Sequence, residues 1–143
     1  MPLLGQDVRD KLGEFYADLK RDVDLRFYPG PEGEASDVMR QLLNEMAEVS
    51  PRLKVSELDR APAVEPGRDS DALAEGPITE VTASDAGEGR VRFLGVASGH
   101  EFGALVAAIR HASMGTDDIS PGGRERLASL RHPVHIQVFT TPT

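Results

Sequence analysis

The sequence predicts an α/β fold in which a central mixed sheet is flanked by helices. Three observations carry the prediction. Segments with apolar residues three and four apart interleave with segments of apolar–polar alternation. A long helical pattern separates the first two strand patterns, which implies a parallel pair joined by a crossover. Two later strand patterns flank a Gly- and Asp-containing turn, which implies an antiparallel hairpin.

Residues 5–21 read as an amphipathic helix, with Val8, Leu12, Phe15, Tyr16 and Leu19 at helical spacing. Residues 23–27 alternate and form the first strand. Two prolines and two glycines within 28–33 mark a loop. A second helix spans 36–49, with Val38, Met39, Leu42, Leu43, Met46 and Val49 on one broad face and Ser36 or Glu34 as its cap. The second strand is 53–58. Residues 59–76 are loop, with a short helical turn at 70–74. The third strand is 78–82, the hairpin turn 84–89 and the fourth strand 91–96. A third helix runs from His100 to Met114, with Phe102, Leu105, Val106 and Ile109 facing inward, and stops at Gly115. Ser120-Pro121 opens a fourth helix carrying Leu127 and Leu130, and 134–139 alternates as a fifth strand.

The chain has 143 residues, enough for one domain with a real core. Its net charge is −8, and its basic residues are scattered among acids. A nucleic-acid partner would require a basic stripe, so none is expected. No apolar run approaches the ~20 residues of a membrane helix. The N-terminus lacks a signal-like pattern, so no membrane association and a cytoplasmic setting are expected. There is no cysteine at all, which removes disulfides, thiolate catalysis and cysteine-bound metals from these residues.

The order of elements is that of a thioredoxin-like unit, and two strings sharpen it. They are Arg92-Phe93-Leu94-Gly95-Val96-Ala97-Ser98-Gly99-His100-Glu101-Phe102 and Val138-Phe139-Thr140-Thr141-Pro142-Thr143. On these the chain resembles the glutaredoxin-like protein disulfide oxidoreductases, built from two fused thioredoxin-fold units. It is also similar to the N-terminal domain of the flavoprotein subunit of alkyl hydroperoxide reductase. The resemblance implies a first unit over residues 1–115, then a linker, helix and first strand of a second unit over 116–143. It further implies a Cys-x-x-Cys immediately after Thr143. Some family members carry another Cys-x-x-Cys at the start of their first core helix, and here Gly33, Glu34, Ala35 and Ser36 take its place. The family's cis-proline, which faces the redox motif, corresponds to Pro77 in Gly76-Pro77-Ile78.

Thiol–disulfide exchange needs a thiolate and a second sulfur, so positions 33–36 are expected to be redox-silent, with Ser36 as a helix cap. What persists is a surface: Ser36 at a helix N-terminus facing Gly76 and Pro77, suited to an extended peptide. Glu32 and Glu34 would oppose an anion. His100 and His111 lie about 16 Å apart along their helix at 1.5 Å per residue, too far to share a metal. Gly99 is expected to permit close packing, His100 and Glu101 to cap or charge the first turn, and Phe102 to enter the core. His132 and His135 project to opposite faces, Asp117 and Asp118 lie in a loop, and Gly87 and Gly89 sit in a hairpin turn rather than before a helix. No metal and no cofactor are expected.

Three roles remain. The first is a non-catalytic unit that scaffolds, docks or dimerises for a redox-active unit. The second is the front part of a thiol–disulfide oxidoreductase whose cysteines lie beyond Thr143. The third is an adaptor binding a peptide between Pro77 and positions 33–36. The expected partner is another protein or a second thioredoxin-fold unit, with homodimerisation through the final strand pattern.

Overall fold

The computed structural model describes residues 1–59, 76–85, 91–134, 136 and 138. Its elements run α1 (Gln6–Phe15), β1 (Val23–Tyr28), α2 (Glu34–Ala47), β2 (Leu53–Glu57), β3 (Ile78–Ala83), β4 (Val91–Leu94), α3 (His100–Met114) and α4 (Pro121–Ala128). The four strands form one mixed sheet in the order β2-β1-β3-β4. β1 and β2 are parallel, because the α2 crossover returns the chain to the same end. β3 pairs antiparallel with both β1 and β4. The predicted sheet, its parallel pair and its hairpin pairing are therefore present. The predicted helical turn at 70–74 and positions 86–89 of the hairpin turn lie outside the described residues.

Strand alternation decides which residues meet the helices. Val23, Leu25 and Phe27 of β1 and Val81 of β3 point into one core. Leu12 of α1, Met39, Leu42, Leu43 and Met46 of α2, and Leu105 and Ile109 of α3 complete it. Phe102, Val106 and Phe93 pack against its margin. All six positions of β3 are buried, as suits a strand bonded on both sides.

The first helix ends at Phe15, six residues short of the pattern's limit. Tyr16 and Leu19 are still buried, so the apolar spacing reads burial correctly but not helix. The backbone of the following segment finds partners elsewhere. The N–H groups of Lys20 and Arg21 donate to Ser113 Oγ at 3.0 Å, and that hydroxyl donates to the Arg21 carbonyl at 2.7 Å. Arg110 grips Asp18 with two bonds of 2.6 and 2.9 Å. These tertiary bonds replace the helical ones that residues 17–21 would otherwise make.

The predicted fifth strand is described only at alternate positions. Val134, Ile136 and Val138 belong to no strand and are exposed. Alternation alone does not supply a neighbouring strand to bond with. The rest of that segment, including His135, lies outside the described residues. The fourth helix is present, and its cap is as predicted, Ser120 Oγ accepting from the Gly123 N–H at 3.1 Å. Leu127 and Leu130 are exposed.

Glu45 ties the N-terminal segment to the fold. Its carboxylate is almost fully buried in α2 and accepts from the N–H groups of Leu4 and Leu3 at 2.8 and 2.9 Å. Gln41 Nε2 donates at 2.7 Å, and Arg9 Nη2 lies at 3.1 Å. Burial alone would raise its pKa, but these donors to the charged form prevail and hold it at about 2. A depressed folded-state pKa means stability that is present above the unfolded value of 4.5 and is lost as pH falls towards 2. Glu45→Ala is expected to cost about 2–3 kcal/mol at neutral pH, since one buried and one partly buried N–H group lose a charged acceptor. Urea denaturation across this pH range checks it: the variant should show a flatter acid limb than the parent chain.

Candidate functional site

Helix α2 begins at Glu34, within the positions 33–36 that the sequence resemblance aligns with a redox motif. Gly33 is its N-cap, with extended backbone at φ 167° and ψ 174°, and makes no side-chain cap. The first helical bond runs from the Asp37 N–H to the Gly33 carbonyl at 3.1 Å. Gly33, Glu34 and Ala35 are exposed, while Ser36, at the third helical position, is 2% exposed. The Ser36 hydroxyl lies 2.6 Å from the Pro29 carbonyl and 3.1 Å from the Pro31 carbonyl, and donates towards them. Ser36 is thus not the helix cap. It sits inside the first turn and fastens the preceding proline loop, because its one hydroxyl hydrogen is drawn to loop carbonyls rather than its oxygen to helix N–H groups. Glu34 does not cap the helix either.

Asp37, in this turn, is engaged by an arginine. Arg40, one turn further on, bonds both oxygens of Glu57 at 2.9 and 3.0 Å and Asp37 at 2.7 Å. Its guanidinium also lies 5.7 Å from the centre of the Phe27 ring. The Arg40 hydrogen bonds pull the Glu57 pKa down despite some desolvation. The turn holds no thiol and no imidazole.

Pro77 is buried at the entry to β3, and its carbonyl accepts from the Gly95 N–H at 2.7 Å. The peptide bond before it is trans, unlike the family's cis-proline, and no cis bond occurs among the described residues. A trans bond is the ordinary state even for X–Pro. Gly30 brings the loop before α2 against Gly76. A Cβ on Gly30 would stand 2.9 Å from the Gly76 carbonyl oxygen, and Gly30 has φ +69°, so both space and backbone demand glycine there. The structure therefore brings Gly76 and Pro77 against the loop that Ser36 fastens.

At α3, Gly99 is the N-cap with φ +57°. A Cβ there would meet nothing within 4 Å, so glycine serves backbone conformation rather than the close packing expected of it. Neither His100 nor Glu101 caps the helix, and Phe102 is half-buried against the core. His111 Nε2 lies 3.7 Å from Asp118 Oδ2, an exposed pair. No group of three or more potential metal ligands occurs among the described residues.

One cluster belongs to no motif and is visible only in the fold. Ser56, Arg26, Glu80 and Arg92 occupy one rung across all four strands. Glu80 is 0% exposed. Arg92 Nε bonds it at 2.9 Å, and Arg26 Nη1 approaches at 3.5 Å. Arg26 also bonds Asp24, which accepts from the Ser56 hydroxyl at 2.7 Å. Its signal in the sequence is a charge at an alternate position of each of three strands.

A four-stranded mixed sheet whose parallel pair is joined by a crossover helix, with further helices flanking it, defines a thioredoxin-like α/β domain. The particular relatives agree. Over 143 residues the chain is 27% and 26% identical to the F component of alkyl hydroperoxide reductase from two strains of Staphylococcus epidermidis, covering 99% of this chain and 25% of each relative. It thus spans about a quarter of the length of those curated relatives. Among solved structures, the alkylhydroperoxide reductase AhpF of Enterococcus faecalis matches at a TM-score of 0.69 and 22% identity, over 89% of this chain and 61% of that one. The N-terminal domain of the same protein matches at 0.63 and 20%, over 83% and 57%. No family model matches the sequence.

Proposed function

We propose that this domain is a redox-silent thioredoxin-fold unit that scaffolds or docks a redox-active unit performing thiol–disulfide exchange. The observation that carries the reading is the state of positions 33–36. We take Gly33 and Ser36 as the positions of two sulfurs; neither is a cysteine, and the commitment of the Ser36 hydroxyl to a loop carbonyl supports a structural role for it. The partner is a protein, foremost a second thioredoxin-fold unit, and the loop around Gly76, Pro77 and Ser36 is the surface offered for an extended peptide. A cytoplasmic setting belongs to the same proposal. Among the described residues no helix is long and apolar enough to cross a membrane.

A second reading is favoured by the span of the similarity, a quarter of each relative. In it these residues are the front part of an active thiol–disulfide oxidoreductase whose Cys-x-x-Cys lies beyond Thr143. Both readings make the same demand of the 143-residue chain. Its insulin-reduction rate with dithiothreitol should equal the rate without protein, and measurable acceleration would overturn both. They part when a redox-active thioredoxin-type unit is assayed with and without this domain supplied as a separate chain. Binding and a changed KM support the docking role, whereas no binding and identical kinetics sink it.

A further inference from the structure

We draw no further inference here: the strongest candidate, the open groove between α1 and the end of α2 where Asp10, Glu14 and Glu48 flank Gly13, carries nothing, because it is a cluster of acidic side chains with no second feature pointing to a ligand, and nothing in the structure shows what covers it.

Discussion

Placing cysteine at positions 33 and 36 should give a dithiol that oxidises to an intramolecular disulfide. Gly33→Cys is sterically free, because its Cβ would meet nothing within 4 Å and its backbone is extended. An N-cap residue and the residue three further on are neighbours across the first helical turn, and a disulfide between them requires their Cα atoms to lie within roughly 4.4–6.8 Å. The helix N-terminus favours the thiolate at position 33, while Glu34 beside it works in the opposite direction. Position 36 is enclosed, so its sulfur should be shielded as Ser36 is now. The expected results are specific. Gly33→Cys alone is alkylated readily, Ser36→Cys alone is alkylated slowly, and the double variant loses about 2 Da on mild oxidation as two thiols become one disulfide. The double variant should also accelerate insulin reduction, from no rate above background to a measurable one. Loss of the Ser36 hydroxyl should cost about 1–2 kcal/mol, because two loop carbonyls lose their donor. If the oxidised double variant keeps both thiols free, positions 33–36 are not the geometric equivalent of a redox motif.

Helix and strand identity is legible in the sequence wherever periodicity and burial agree. The α2 pattern holds because Met39, Leu42, Leu43 and Met46 face one core, and the β1 alternation holds because Val23, Leu25 and Phe27 do the same. The misreadings share a cause. Tyr16 and Leu19 have helical spacing and are buried, yet Ser113 and Arg110, more than ninety residues away, take over the groups that would have extended α1. Ser36 stands where the apolar pattern starts a helix, but the helix begins two residues earlier, so a residue with the chemistry of a cap becomes a buried donor. At 134–139 the alternation is real while no paired strand is found at the described positions. In the first and last of these cases the deciding partner would have to come from a distant segment, which no local window contains. The absence of cysteine is legible, because it is a property of composition and not of folding.

The Glu80 rung tests how much a buried charge contributes where the sequence could have placed an apolar side chain. Glu80→Ala should destabilise the chain by about 3 kcal/mol, the lower end of what breaking a buried pair costs, since Arg26 and Arg92 retain some access to water. For a chain of this size that is a fall of about 9 °C in Tm. Arg26 keeps Asp24, so Arg92 should carry most of the loss. A double-mutant cycle of Glu80→Leu and Arg92→Leu separates pairing from burial. If the pair contributes mainly by not being broken, Arg92→Leu should recover most of the stability that Glu80→Leu removes, and the double variant should lie near the parent chain. If the double variant instead falls by the sum of the two losses, the rung is not coupled and the network does not act as one. The rung also spans the sheet at a fixed register, Ser56 to Arg26 to Glu80 to Arg92, and a slip of one residue would turn Glu80 into the apolar core. Hydrogen exchange of β4 in the double variant reads this directly: faster exchange with unchanged global stability would mean that the charges hold the hairpin in register rather than stabilise the domain.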